Sequence, residues 1–202
     1  MKNPSTIPHQ SYPDTHHDAY SRTVFGFWLY LMSDFILFGA LFAAYVVLSD
    51  STFGGVSARE LFQPSYALIQ TLVLLVSSLT VGLAGASAHR KHKYGTIILF
   101  GITLLLGLLF IGMELNEFSR FIRAGHGWDK SAFLSMYFTV IGTHGLHVVF
   151  GLLWMIVLLV PVWRDGISPV SIRRLTCLRM FWQFLNIVWV FIFSFVYLMG
   201  VK

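Results

Sequence analysis

The chain has 202 residues, of which 56% are hydrophobic, 16% aromatic and only 11% charged. Soluble domains carry roughly 25% charged residues, so these proportions exclude a water-soluble globule, and a disordered chain equally. The single cysteine, Cys177, excludes an internal disulfide, a cysteine-rich metal cluster and a binuclear copper site with paired cysteines. A formal charge of +5 does not point to nucleic acid, because in so apolar a chain basic residues mark the loops on one side of a membrane.

Residues 1–23 are polar, with Pro4, Pro8, Pro13, His9, His16 and His17, and lack the apolar core of a cleavable signal peptide. They predict a disordered cytoplasmic tail whose scattered histidines face solvent rather than a metal. Five apolar segments follow: Val24 to Leu48, Tyr66 to Ala88, Tyr94 to Met113 with its helix continuing to about residue 118, Ser131 to Val160, and Met180 to Val201. Each is long enough to cross about 30 Å of hydrocarbon at 1.5 Å per residue. Among the charged residues only Asp34 falls inside them. Continuous apolar runs, rather than two-residue alternation, argue against barrel strands. The prediction is an all-α polytopic membrane protein, with residues 24–202 forming one bundle of five transmembrane helices without internal repeats or a soluble domain.

Basic residues fix the expected orientation. Lys2, Arg22, Arg90, Lys91, Lys93, Arg164, Arg173, Arg174 and Arg179 lie on one side, against Arg59, Arg120, Arg123, Lys130 and Lys202 on the other. The positive-inside rule then places the N-terminus in the cytoplasm and the C-terminus in the periplasm.

Asp34 lies ten residues into its segment, about 15 Å along the axis and close to mid-bilayer. A charged group there costs at least ~2.5 to 3.5 kcal/mol, so the carboxyl is expected to face protein or water. Two roles fit: a neutral hydrogen-bonding strut between helices, or a group that relays protons or gates their uptake. His144 and His147, three residues apart in Gly142-Thr143-His144-Gly145-Leu146-His147, share a helix face, and the glycines permit close approach. A closed metal site would need further ligands, so polar helix contacts are expected instead. A bis-histidine haem takes its ligands from opposite faces, and both histidines here are on one helix, which argues against a cytochrome built from this chain alone.

Glu114 and Glu117, followed by Arg120 and Arg123, sit at the outer end of the third segment and suggest an interfacial ion-pair network, a lipid headgroup site or a solvated helix end. In the fifth, Gln183 and Asn186 lie between Trp182 and Trp189 and suit helix-to-helix hydrogen bonds. Ser78, Gly82 and Ala86 form a small-residue stripe on the second helix that favours close helix contact.

Taken in order, Tyr30-Leu31-Met32-Ser33-Asp34 with Phe38, the Glu114 to Glu117 stretch, Gly142 to His147 with Gly151 and Trp154, and Phe181-Trp182-Gln183-Phe184 with Trp189 and Tyr197 resemble subunit III of the haem–copper terminal oxidases. The five-helix length and motif spellings are most similar to the bacterial cytochrome bo-type ubiquinol oxidase form. The resemblance covers about residues 24 to 201. It implies a non-catalytic subunit in the bacterial inner membrane, packed beside subunit I in a complex with subunits II and IV. It further implies no cofactor in this chain, haem and copper in subunit I, and structural phospholipids bound between helices. Support of proton uptake during oxygen reduction is implied as well, with Asp34 on the family's intramembrane carboxylate. The family usually has His and Asp where this chain has Gln183 and Asn186, which removes titration at both positions. A related cytochrome c oxidase subunit, a small proton-coupled transporter using Asp34 and the histidines, and a plain membrane scaffold remain the alternatives. A transporter would be expected to show broken helices and repeats.

Overall fold

The computed structural model describes residues 15–49, 51–52, 64–198 and 200. Readings that involve residues 1–14, including Lys2 and His9, the side chains of His16 and His17, Arg59 and Lys202 lie outside the described residues. Helix α1 spans Thr15–Leu48, α2 Pro64–His89, α3 Lys93–Arg123, α4 Ala132–Asp165 and α5 Pro169–Ile192, and a π-helical turn over Phe193–Leu198 continues α5. There is no strand among the described residues, and all five helices are long and apolar enough to cross a membrane.

Helix boundaries run past the apolar segments, because hydropathy reports contact with lipid whereas backbone geometry reports the helix. Residues 15–23, expected in the disordered tail, are helical. Pro13 is the last proline before residue 64, so nothing breaks the backbone as it leaves the apolar region. Likewise α5 starts at Pro169 rather than near Met180: Pro169 occupies the first turn, and the Ser168 hydroxyl accepts a hydrogen bond from the Ser171 amide at 3.1 Å. Ser131 caps α4 in the same way, accepting from the Leu134 amide at 3.2 Å, and Gly166 ends it at φ +82°, a conformation glycine adopts without steric cost. At 34 residues, α4 is about 51 Å long and must tilt or project from the bilayer.

Only Arg90, Lys91 and His92 separate α2 from α3, with Lys91 at φ +59°, so these two helices are antiparallel neighbours and share the most extensive contact in the molecule. α3 packs on α4, α4 on α5, and α5 back on α2, closing a four-helix ring; α1 lies outside it in the groove between α4 and α5. The lipid-facing surface is as apolar as the interior, with Leu79, Leu105 and Val157 more than 60% exposed. What distinguishes the inner face is small and polar content. On α2 the buried row is Ala67, Gln70, Thr71, Leu74, Ser77, Val81, Ala84, Gly85 and Ala88. Ser78, Gly82 and Ala86 stand beside that row rather than in it, and a Cβ on Gly82 would meet nothing within 4 Å. Among the described residues no helix packs closely on Gly82.

Candidate functional site: the polar interior of the bundle

Three clusters of polar side chains are enclosed by the helices. The first lies where the start of α2, the end of α3 and the π-turn meet. Glu117 is its hub: Gln70 Nε2 donates to Glu117 Oε2 at 3.3 Å, and the Tyr197 hydroxyl donates to both carboxyl oxygens at 3.2 Å. Tyr197 also exchanges a hydrogen bond with the Tyr137 hydroxyl at 3.1 Å. The wider π-turn brings Val196 and Tyr197, consecutive residues, both to the buried side. Glu114 and Glu117 are only 4% and 3% exposed. Both are enclosed by the helices, which corrects the expectation of a solvated helix end at these two. Of their expected companions, Arg123 is exposed, and the Arg120 guanidinium lies 5.7 Å above the Tyr66 ring and 5.4 Å above Phe121, a cation–π arrangement.

The second cluster occupies the centre. His144, fully buried, pairs through Nε2 with the Leu185 carbonyl at 3.2 Å, joining α4 to α5. Phe110 meets its ring edge-on at 5.7 Å, and Trp189 lies 5.2 Å away. Trp189 Nε1 donates to Thr71 Oγ1 at 3.1 Å, and Trp182 Nε1 to Ser77 Oγ at 2.7 Å, tying α5 to α2. The close approach expected at the α4 glycines is made by a side chain: the Glu114 carboxyl rests against Gly145, while the nearest atom to a Cβ on Gly142 is Phe118 at 4.0 Å. Glu114 Oε2, His144 Nδ1 and Gln70 Oε1 are buried without a hydrogen-bond partner.

The third cluster joins α1 to α4. Asp34 Oδ2 is 3.9 Å from His147 Nε2, so Asp34 meets His147 and not His144. His147 Nδ1 pairs with the Thr143 carbonyl of its own helix at 2.8 Å, which leaves Nε2 directed at the carboxyl. The Tyr30 hydroxyl is also within hydrogen-bonding reach of Asp34. Phe38 covers the cluster at 5.3 Å from the His147 ring. Outward from it runs an apolar groove between α1 and α4 in two adjoining parts of about 640 and 430 Å³, lined by Phe27, Tyr30, Phe150, Leu153 and Trp154, with His147 at one end.

The remaining expected site residues divide. Asn186 is buried, but its amide donates to the Trp182 carbonyl of its own helix at 2.8 Å, and Oδ1 is left unpartnered. Gln183 is exposed on the outer face of α5. Neither makes the helix-to-helix hydrogen bond expected of it, because three residues correspond to a rotation of about 60°, enough to turn Gln183 away from the ring that Asn186 faces. Among the described residues no group of three or more His, Cys, Asp or Glu side chains is placed to hold a metal. The two histidines do not fit a haem: they project from one helix, and each spends a ring nitrogen on a backbone carbonyl.

The residues that sequence reasoning passed over are Gln70, Thr71, Ser77, Tyr137 and Tyr197 as partners of the motif residues. For Gln70, Thr71 and Ser77 the signal is the buried row of α2, in which polar residues recur at helical spacing inside an apolar run.

The profile of the family described as "Cytochrome c oxidase subunit III" matches residues 7–201. A Pseudomonas aeruginosa protein named "Cytochrome bo(3) ubiquinol oxidase subunit 3" is 52% identical over 93% of this chain and 90% of its own length. Its namesake in Pseudomonas putida is 46% identical over 92% of this chain and 89% of its own. A protein of Bacillus sp. strain PS3 named "Cytochrome c oxidase subunit 3" is 43% identical over 87% of this chain and 84% of its own.

Proposed function

The chain belongs to the cytochrome c oxidase subunit III family, and from that premise we propose that it is the third subunit of a bacterial quinol oxidase of the cytochrome bo type. The observation that carries the choice of quinol over cytochrome c is the 52% identity to the bo(3) subunit, against 43% to the cytochrome c oxidase subunit. The protein is a multi-pass membrane subunit without a catalytic centre of its own. Its site in this proposal is the bacterial inner membrane, N-terminus in the cytoplasm and C-terminus in the periplasm, beside subunit I, which holds haem and copper, with subunits II and IV completing the complex.

Within the complex its work is mechanical and electrostatic. The ring of α2 to α5, cross-linked by buried hydrogen bonds, presents a rigid wall to subunit I, and the apolar α1–α4 groove suits an acyl chain of a structural phospholipid. Asp34, facing His147 and Tyr30 near that groove, supports proton uptake during oxygen reduction coupled to proton pumping. Asp34→Asn is expected to leave haem content and subunit composition unchanged while the oxidase inactivates sooner during turnover. Unchanged lifetime and proton yield would make the carboxyl a strut between α1 and α4.

Affinity purification of the tagged chain in mild detergent tests the assignment. Haem absorbance and quinol-dependent oxygen consumption should accompany it. Migration alone and without haem, where a reference oxidase stays intact, would sink it. Oxygen consumption supported by reduced cytochrome c and not by quinol would move the chain to the cytochrome c branch of the family. Solute uptake by the chain reconstituted alone would instead favour a transporter.

A further inference from the structure

The polar pair at the inner end of the α1–α4 groove is unfinished. His147 Nδ1 meets the Thr143 carbonyl at 2.8 Å. A carbonyl only accepts, so Nδ1 carries the hydrogen, and the uncharged ring presents a lone pair at Nε2. Asp34 Oδ2 stands 3.9 Å from that lone pair, beyond hydrogen-bonding range, and is itself buried without a partner. A hydroxyl oxygen about 2.8 Å from each atom spans such a gap, with its hydrogen donated to Nε2.

The route to this pair determines what can carry the hydroxyl. Tyr30, Phe150 and Leu153 line both parts of the groove, and Phe27, Trp154 and Val157 the larger one. Phe27 and Tyr30 precede Asp34 on α1, while Phe150, Trp154 and Val157 follow His147 on α4. The groove therefore runs from the pair, near mid-bilayer, toward one membrane face, between apolar and aromatic walls. A hydroxyl that reaches His147 along it belongs to an apolar molecule dissolved in the membrane. The larger part accepts any long chain, acyl or isoprenoid, and the 430 Å³ part that includes His147 decides between them. A phospholipid keeps its phosphate at headgroup level and would bring only a methyl end to the pair, leaving both polar atoms unsatisfied. A quinol brings a flat ring, which suits aromatic walls, and phenolic hydroxyls that donate.

We infer that the α1–α4 groove is a quinol-binding site of this subunit, in which a ring hydroxyl donates to His147 Nε2 and faces Asp34 Oδ2 while the isoprenoid tail lies along Phe27 and Trp154. Its role is to bind quinol and exchange it with the membrane, apart from the oxidation that the proposed complex carries out. A quinone carbonyl cannot donate to Nε2, so the reduced form binds more tightly than the oxidised one. The choice of quinol as ligand rests on the quinol oxidase reading, but occupancy is measured on this chain's own peptides.

Photolabelling with an azido-substituted ubiquinol tests the site, using the protein purified with whatever subunits accompany it, without oxygen and with cyanide present to stop turnover. Label should map to α4 within residues 146–157. Decylubiquinol should displace it at about five- to tenfold lower concentration than decylubiquinone, and His147→Phe should weaken labelling by a similar factor, the loss of one hydrogen bond. Leu153→Trp fills the groove without touching the polar pair and should abolish the label, which keeps the test decisive if His147→Phe fails to fold. Leu105→Trp, on the lipid-facing side of α3, should leave it unchanged. Absence of label from this chain, or equal label in wild type and in Leu153→Trp, would overturn the site. Displacement by dioleoylphosphatidylethanolamine as readily as by decylubiquinol would give the groove to an acyl chain, and displacement by decylubiquinone as readily as by decylubiquinol would remove the hydroxyl contact; either result overturns the proposal. Label on a chain that purifies without haem would refute the oxidase reading and leave the site standing. Haem and quinol oxidation without label on this chain would do the reverse.

Discussion

Trp182→Ala is expected to destabilise the protein by about 3 kcal/mol, the lower end of what truncating a buried aromatic costs. Trp182 is 1% exposed and among the largest fully buried side chains. Its ring is wedged between two glycines: a Cβ on Gly107 of α3 would lie 2.8 Å from Cη2, and one on Gly151 of α4 would lie 3.2 Å from Cζ3. Its Nε1 reaches across to Ser77 of α2. One side chain on α5 thereby holds the other three helices of the ring. In a bilayer the unpacked alternative is also apolar, so little hydrophobic transfer energy is lost. The cost comes from the unfilled cavity and the missing dispersion contacts, together with about 1 kcal/mol for the orphaned Ser77 hydroxyl. Gly107→Ala attacks the same wedge from the opposite direction, since its Cβ would also stand 2.7 Å from Leu152 Cδ2; overpacking of this kind costs about 1–3 kcal/mol. The discriminating measurement is the double variant. Because Trp182→Phe shortens the ring that Gly107→Ala strikes, the pair should unfold in detergent at a higher denaturant concentration than the sum of the single losses predicts. Strict additivity would mean that Trp182 and Gly107 do not share the wedge.

The sequence reveals what the bilayer forces and hides what only packing decides. Five spans and a lone Asp34 are legible because lipid admits long apolar helices and penalises charge. The partner of Asp34 is not, since His144 and His147 share a helix face and only the lie of α1 against α4 selects between them. Hydropathy falls after Met113, which on its own suggests a solvated helix end for Glu114 and Glu117. Yet α3 runs to Arg123, and its buried row reads Thr96, Phe100, Thr103, Gly107, Phe110, Glu114, Glu117, Phe121. That row keeps one spacing across the point where hydropathy changes, so periodicity shows the two carboxyls turned toward the other helices, which composition does not. Gln183 and Asn186 failed for a related reason. With lipid on one side and protein on the other, both faces of α5 are apolar, and no amphipathic pattern marks which amide turns inward. Tyr197 was recognised as part of a motif, but its contact with Glu117 depends on a π-turn that no local residue pattern here announces.

Glu117→Leu is expected to be as damaging as loss of the tryptophan wedge, costing about 3 kcal/mol or more, for a different reason. Leucine is apolar and compatible with lipid, so a reading from hydropathy alone would forecast stabilisation. The structure reverses the sign. Removing the carboxyl leaves Gln70 Nε2 without its acceptor and the Tyr197 hydroxyl with Tyr137 in place of two carboxyl oxygens, in a site closed to water. A stranded buried donor costs about 1–3 kcal/mol, and the hydrogen bonds that Tyr137 and Tyr197 make to the carboxyl are lost as well. Glu117→Gln keeps the volume and one acceptor oxygen and should lose less than half as much. Tyr197→Phe should lose about 1–2 kcal/mol, since it strands a lone pair on a carboxyl that Gln70 still satisfies. The network character shows in the cycle: Glu117→Leu combined with Tyr197→Phe removes both members of the pair and should be less unstable than the two single losses added together, by about 1 kcal/mol or more. Denaturation midpoints of the four proteins in one detergent supply the comparison. If Glu117→Leu matches or exceeds wild type, the cluster is not closed to water, and the carboxyl does not lock α2, α3 and the π-turn together.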